Sequence, residues 1–187
     1  MVLTFMVHSE SIHRALDAVN KNFYSPRSLR IDLLKNCPQV IPTLSHWLYD
    51  EWHTYDASLT LEKLITSFNM RLNDDRIPIT FVTLRGEEPI GVITLKDRQG
   101  AGPEFNDFPE TSLWMGSLQV VPEERCQGLG HAMLKFAAGV AKSLNYHELY
   151  FYTSNPSNVL WYTNRGAHVL QKRSFRGTMI TIMNMIL

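Results

Sequence analysis

Cysteine is scarce in this sequence, which contains Cys37 and Cys126 and no other. Two cysteines cannot build the disulfide framework of a small secreted domain, and their spacing fits no zinc motif. Histidine offers no better metal site, because His46 and His53 lie seven residues apart without a third ligand. We therefore expect no bound metal and a location in the reducing cytoplasm.

The chain also lacks an excess of charge of either sign and any long apolar run. Lys and Arg number 18, equal to Asp and Glu, which leaves no basic face for nucleic acid or an anionic membrane. No apolar run approaches the roughly 20 residues that cross a bilayer. The apolar start, MVLTFMV, is too short for a signal peptide. We expect neither nucleic acid nor membrane as a partner.

Hydrophobic residues make up 44% of the chain, and their spacing alternates between helical and strand patterns. Helical spacing covers residues 9–23, 40–52, 61–72, 130–142 and 155–164. Strand patterns cover residues 29–34, 79–84, 90–96, 114–121, 148–153, 167–171 and 179–185. This order predicts a single domain of the α/β (α+β) class, with a mixed central β-sheet and helices on both faces.

The helix over residues 9–23 is additional to that order, and Ile12 and Leu16 lie on its apolar face. We expect residues 1–27 to be an amino-terminal helical extension and residues 28–187 to be the main domain. An amphipathic helix of this kind packs on its own domain or forms a subunit contact, so a homodimer stays open.

Residues 97–111 are rich in Gly and Pro and carry Asp97, Glu104, Asp107 and Glu110 against one Arg. We expect a long loop. Its negative charge would attract an amine, but a solvated loop explains the same acids, and both interpretations stay open.

The most informative stretch is a Gly-punctuated turn at residues 125–130, between a strand and a helix. Unpaired N–H groups and the helix dipole favour a phosphate there. Gly128 and Gly130 permit close approach of the backbone, and Arg125 adds a fixed positive charge. A dinucleotide fingerprint needs a third Gly or Ala where Met133 stands, and the phosphate-binding loop needs a Gly-Lys-Ser/Thr that is absent.

What remains is Arg-x-x-Gly-x-Gly after a Val-Val-Pro strand end, which resembles the pyrophosphate motif of the GCN5-related N-acetyltransferases (GNAT). A second segment agrees with the first: Asn155, Tyr162 and Gly166 match the family's Asn…Leu/Phe-Tyr-x-x-x-Gly pattern. The resemblance covers residues 28–187. It implies an acetyl-CoA-dependent N-acetyltransferase domain, which moves an acetyl group to a primary amine of a small molecule or a peptide amino terminus.

By this resemblance, acetyl-CoA lies on one side of two splayed strands and the acceptor on the other. The strand backbone would hold the acetyl and pantetheine groups at Leu118, Gln119 and Val120. The turn would hold the phosphates at Arg125, Cys126, Gln127, Gly128, Leu129, Gly130 and His131. Asn155 would contact the pantetheine arm. Tyr162 would be the general acid, since a phenol of pKa about 10 suits a thiolate leaving group; alternatively it packs beside CoA with Trp161.

The general base stays open, because residues 114–121 contain no Asp, Glu or His. Glu51, His53 or Glu110 could act directly or through water, or an amine of low pKa needs little help. We expect four acceptor contacts: Glu51, Trp52, Glu110 and Trp114. The acidic loop favours a cationic small molecule, and the resemblance favours a peptide end. A sensor that binds acyl-CoA without turnover is the alternative function.

Overall fold

The computed structural model describes residues 9–22, 29–54 and 56–187. The strands are β1 Leu29–Leu33, β2 Ile79–Arg85, β3 Glu88–Asp97, β4 Leu113–Val120, β5 Glu148–Thr153, β6 Ala167–Phe175 and β7 Thr178–Ile186. The helices are α1 Ser9–Asn22, α2 Ile41–Trp52, α3 Leu61–Asn69, α4 Arg98–Ala101, α5 Leu129–Ser143 and α6 Pro156–Thr163. No helix in these described ranges is both long and apolar enough to cross a membrane.

The strands form one sheet in the order β1-β2-β3-β4-β5-β7-β6. Its strand pairs are antiparallel except β4 with β5, which are parallel. A parallel neighbour needs a crossover connection, and α5 supplies it between these two strands. The predicted mixed sheet is therefore confirmed.

Helices cover both faces of the sheet, as predicted. Alternate residues of a strand point to opposite faces, and the paired Phe81 and Ile93 pack in the core cluster that contains α1 and α5. Their neighbours Val82 and Val92 pack with α2 and α3 in a separate cluster. The central strands β2 and β3 are consequently buried on both sides.

Helix α1 packs on this domain. Ile12 and Leu16 are buried in the same cluster as α5. The Asn20 side chain also exchanges two hydrogen bonds with the backbone of Ile31 in β1, each 2.9 Å long. The helix predicted over residues 9–23 is thus confirmed as far as Asn22, while Phe23 and the predicted domain boundary lie outside the described residues.

The segment at residues 97–111 differs from the predicted plain loop. It contains α4 and a 3₁₀ turn at Pro103–Phe105. Phe105 is fully buried, and its ring stacks on Tyr152 at a centroid distance of 5.2 Å. The Gly and Pro content predicts irregular backbone correctly, but the apolar contacts of Phe105 fold the segment onto the sheet.

Candidate functional site

The sheet opens between β4 and β5. These strands pair only at Leu113 with Leu149 and at Trp114 with Tyr150. Beyond Trp114 the remainder of β4 pairs with no described strand on that side, so its backbone is available to a ligand. The splayed strands predicted by the resemblance are present in the structure.

A bulge in β4 lies beside this opening. Thr94 of β3 pairs with Gly116 and Val92 pairs with Gln119, which leaves two β4 residues opposite one β3 residue. Ser117, the first of the two, has a φ of 56°, a backbone conformation that side-chain-bearing residues rarely adopt. Bulges interrupt a hydrogen-bond ladder and redirect a strand, so this one turns the unpaired part of β4 away from β5.

The turn at residues 125–130 leads into α5 with unpaired amide groups. None of the N–H groups of residues 126–131 donates a well-formed hydrogen bond to a described residue. Gly128, with φ 86°, precedes the helix, and Cys126 also has a positive φ of 60°. Free N–H groups in such a turn, at the positive end of the helix dipole, form an anion site.

A buried ion pair anchors this turn. Glu124 is 8% exposed, and its carboxylate accepts two hydrogen bonds from the Arg85 guanidinium, one of them 2.6 Å long. The hydrogen bonds to Glu124 raise the pKa of Arg85. Because a two-point contact fixes both groups, the end of β2 holds the turn in position.

The first cavity, which we call the turn cavity, has a volume of about 360 Å³. Arg125, His131 and Arg165 line it. The Arg165 guanidinium lies 4.0 Å from the centre of the Trp161 ring, and its Nε is buried without a hydrogen-bond partner among the described residues. An anion here would meet the free amides and the guanidinium groups of Arg125 and Arg165, as a pyrophosphate requires.

Helix α6 brings Tyr162 to the opening. Asn155 caps the helix by accepting a 2.9 Å hydrogen bond from the Ser157 amide, and Gly166 follows its end with φ 88°. Tyr162 is 9% exposed and lines the turn cavity. It also lines a second cavity of about 320 Å³ between residues 115–120 of β4 and residues 151–153 of β5, which we call the central cleft. Burial raises the pKa of Tyr162 to about 12, so its hydroxyl keeps its proton across the physiological range.

The other side of the opening holds what we call the hairpin cavity, because it reaches the turn between β6 and β7. It has a volume of about 320 Å³. The hairpin cavity and the central cleft meet at the bulge, where they share Gly116, Ser117, Tyr152 and Ser154 among other residues. A molecule in one cavity can therefore reach a molecule in the other through the gap between β4 and β5.

Lys96 extends from β3 into the hairpin cavity. Its Nζ lies 5.9 Å from the centre of the Tyr152 ring and beside Gly116, where an added Cβ would approach it to 3.3 Å. Asp97, the next residue of β3, is the carboxylate whose charge acts on it, and this charge raises the pKa of Lys96 by less than the other influences lower it. Burial, and then the positive charges of Arg71 and Arg176, lower the pKa of Lys96 to about 8.

Comparison with known proteins identifies the family. The model of the Acetyltransferase (GNAT) family matches residues 40–166, which is more than half of the chain. The chain belongs to the GNAT acetyltransferase family. The matched segment contains the bulge, the turn and α6, so the cleft described above is that of the acetyltransferase domain. None of the curated proteins matches this sequence significantly.

Solved structures share the fold of this member of the GNAT family. An acetyltransferase from Thermus thermophilus is 20% identical, with a TM-score of 0.59 over 84% of this chain and 97% of its own. A chimera of the spermidine N-acetyltransferase SpeG from Vibrio cholerae with hSSAT is 17% identical, with a TM-score of 0.60 over 84% and 95%. An uncharacterised protein from Bacillus halodurans is 13% identical, with a TM-score of 0.62 over 98% and 90%. At these identities the similarity concerns the fold.

The structure brings most of the residues predicted for acetyl-CoA to one place. The central cleft and the turn cavity are lined by Leu118, Gln119, Val120, Arg125, Cys126, Gly128, Gly130, His131 and Asn155. Gln127 and Leu129 offer only their amides, because the Gln127 side chain donates to the Glu123 carbonyl oxygen and Leu129 is buried beneath the turn.

The residues predicted for the acceptor divide into two groups. Glu51 lines the central cleft, and Trp52 lines both the cleft and the hairpin cavity. Trp114 lies elsewhere: it is fully buried, and its indole N–H donates to the Ser112 hydroxyl. Glu110 pairs with Arg98 at 3.2 Å and lines neither cavity. We therefore keep Glu51 and Trp52 as acceptor candidates and give Trp114 and Glu110 structural roles.

Sequence reasoning missed Arg71, Lys96, Glu124 and Arg165. Arg165 could have been found, since it stands three residues after Tyr162 in the second motif. Arg71 follows α3, whereas Lys96 belongs to β3. No spacing rule in the sequence links two such positions. Their proximity depends on the sheet register and on how α3 packs.

Gly128→Ala should lower the free energy of unfolding by about 1 kcal/mol, because an alanine is strained at φ 86°. An added Cβ would meet nothing within 4 Å, so the cost comes from the backbone alone. Gly139→Ala is the matched control, since Gly139 is exposed within α5 and alanine should stabilise that helix by about 1 kcal/mol. Denaturant unfolding of both variants measures the contrast, and equal effects would contradict the assigned turn.

Lys96→Met should raise the free energy of unfolding at pH 7 by about 1–3 kcal/mol, because an ammonium whose pKa falls from 10.5 to about 8 is charged at a cost. Between these two pH values the unfolded chain binds more protons than the folded one, so wild-type stability rises with pH. The difference between the proteins should shrink as pH increases from 8 to 10.5.

Unfolding curves at pH 7 and pH 10 test this expectation. Lys142→Met is the control, because Lys142 is exposed at the end of α5 and its change should be small and similar at both pH values. A Lys96→Met protein that is less stable than wild type at pH 7 would contradict a destabilised ammonium.

Proposed function

We propose that this protein transfers an acetyl group from acetyl-CoA to a primary amine. The observation that carries the proposal is the meeting of three features at one opening in the sheet. These are the unpaired backbone of β4, the anion-binding turn before α5, and Tyr162 of α6. Each feature suits one part of the reaction.

The turn suits the phosphate end of acetyl-CoA. The free amides of residues 126–131 would donate to the pyrophosphate oxygens, and Arg125 and Arg165 would neutralise their charge. Arg125 is positioned for this by a 2.9 Å hydrogen bond from its Nε to the Val120 carbonyl oxygen. Its two terminal amino groups remain available for an anion in the turn cavity.

The unpaired stretch of β4 suits the pantetheine arm and the thioester. A pantetheine arm carries amide groups, and it can pair with the strand backbone as a missing neighbour strand would. At the bulge, the sheet ladder gives Ser117 and Leu118 no partner on β3. We assign to the backbone N–H there the polarisation of the thioester carbonyl, since donors fixed in advance stabilise the developing oxyanion.

The transfer itself exchanges one bond for another. The neutral amine nitrogen attacks the thioester carbon, an N–C bond forms and the C–S bond breaks. The nitrogen loses a proton and the thiolate gains one. Tyr162 donates that proton to the thiolate, a role that suits a hydroxyl without a hydrogen-bond partner among the described residues.

The amine can lose its proton in two ways in this proposal. Glu51 is exposed at the edge of the central cleft and can accept it through water. An amine of low pKa can instead reach the cleft already neutral. His53 does not serve here, because its ring is exposed, stacks on Tyr49 and bonds the Tyr49 carbonyl oxygen at 2.7 Å. We retain the predicted cytoplasmic location and absence of a bound metal as parts of the proposal.

Tyr162→Phe should lower kcat by about 100-fold or more, because it removes the proton donor and little volume. Affinity for acetyl-CoA should stay within about threefold of wild type, which calorimetry measures. Thiol release with a panel of amines and peptides gives the rate. Tyr146→Phe is the matched control, since Tyr146 lines none of the three cavities and its loss should leave both quantities unchanged.

Three other results would each change the proposal. Unchanged turnover in Tyr162→Phe would remove its assigned role. Tight binding of acetyl-CoA without release for any acceptor would favour an acyl-CoA sensor. No binding would contradict the assignment of the turn at residues 125–130.

A further inference from the structure

We propose that the acceptor amine also carries an anionic group, a carboxylate or a phosphonate or phosphate, and that Arg71 and Lys96 bind this group in the hairpin cavity. The inference rests on the proposed acetyl transfer, because it names the class of acceptor used at the same opening. Its basis is the charge of the hairpin cavity, where Arg71 and Lys96 form no ion pair with a carboxylate among the described residues.

The hairpin cavity is lined by three cations and one carboxylate. The cations are Arg71, Lys96 and Arg176, and the carboxylate is Asp56. Arg176 forms a close ion pair with Asp56 and lies 3.7 Å from Glu104. The one carboxylate on this wall is therefore already used, and two positive charges remain without a carboxylate partner among the described residues.

Arg71 is held in place by contacts that leave its charge uncompensated. Its guanidinium lies 5.6 Å from the centre of the Phe68 ring, and one terminal nitrogen donates to the Ser67 hydroxyl at 2.7 Å. Burial lowers the pKa of Arg71. Burial and the charges of Arg71 and Arg176 also disfavour the Lys96 ammonium, and the opposing effect of the Asp97 charge is the smallest of these influences.

Several other arginines have a carboxylate partner, whereas Arg125 and Arg165 line the turn cavity, where an anion is proposed to bind. Arg85 pairs with Glu124, Arg98 with Glu110 and Arg173 with Asp107. A half-buried cation without a counter-charge destabilises a fold. Two such cations that face one cavity are typical of a site where the ligand supplies the counter-charge. A carboxylate or phosphonate oxygen would satisfy both.

A cationic acceptor does not fit these charges. Each acid of the segment at residues 97–111 has a local partner: Asp97 accepts from the Gly100 amide, Glu104 faces Arg176, Asp107 pairs with Arg173 and Glu110 pairs with Arg98. The expectation that this segment attracts a cationic small molecule thus loses its basis. A polyamine would meet Arg71 and Lys96, while Asp56, the carboxylate that lines the cavity among the described residues, already pairs with Arg176.

The remaining walls define the rest of the acceptor. Apolar side chains contribute from α2, α3, β4 and the closing hairpin, namely Leu48, Leu64, Met115, Phe175 and Ile180. A volume of about 320 Å³ suits a small molecule. The geometry fits an amine with an anionic group and a short apolar side chain, such as an aliphatic amino acid or its phosphonate analogue.

The experiment compares acceptors that carry an anionic group with acceptors that lack one. Thiol release from acetyl-CoA is measured with L-leucine, its aminophosphonate analogue, leucinamide, 3-methylbutylamine and spermidine. Leucine or the phosphonate should exceed both leucinamide and 3-methylbutylamine in kcat/KM by about tenfold or more. Leucinamide is the stringent control, because its amine has the lower pKa and would react faster if charge did not matter. The better of the two acids identifies the anionic group.

Variants test which residues recognise the anionic group of the acceptor. Lys96→Met and Arg71→Met should each raise KM for the preferred acid by about tenfold or more, with a smaller change in kcat. The ratio of acid to amide should fall toward one. Arg71→Lys should keep part of the preference, and Lys142→Met, an exposed lysine on α5, should keep all of it. Equal losses for acid and amide would indicate a structural role and overturn the proposal.

A binding measurement separates this inference from the proposed function. Calorimetry with 4-methylpentanoate, which lacks the amine, reads the anion site without turnover, and binding should weaken by about tenfold or more in Lys96→Met. Binding of this acid without transfer to any acceptor would refute the acetyltransferase proposal alone. Transfer to neutral amines or spermidine, with no binding of the acid, would refute this inference alone.

Discussion

The divergence of β4 from β5 is the constraint on which the rest of the cleft depends. The N–H and C=O groups of a strand in the middle of a sheet normally form hydrogen bonds with both neighbouring strands. Here the pairing stops at Trp114 and Tyr150, and the bulge at Ser117 turns the following residues away. The sheet thereby keeps its core on either side while a ligand can take the place of a strand.

The opening between β4 and β5 also separates two groups of positive charges, one on each side of it. On the turn side, backbone amides and cations face a cavity beside α5 and α6. On the hairpin side, Arg71 and Lys96 face a cavity with apolar walls. Two anionic ligand groups held apart in this way would place the reacting atoms between them, at the bulge. Orienting two substrates toward each other is itself a large part of catalysis of group transfer.

How far the sequence predicts this site depends on whether its features are local. The turn and α6 are local, because Gly128, Asn155 and Gly166 are the residues that a positive φ and a helix cap require. The predicted contact of Trp114 with the acceptor depends instead on a feature that is not local. Its position on the strand before the turn is predicted correctly, but the face to which it points depends on Phe105, and that residue lies in a segment whose composition predicts only a loop.

Lys96 shows why the acceptor side could not be predicted. A lysine near the end of an alternating strand is most simply a solvated side chain, and nothing in its neighbours indicates otherwise. Its burial arises because α4 and the closing hairpin fold over that end of β3, and because Gly116 leaves room for its ammonium. A charge kept there at a cost in stability is unexplained by packing, since a methionine would fill the same space. A ligand that neutralises the charge accounts for it.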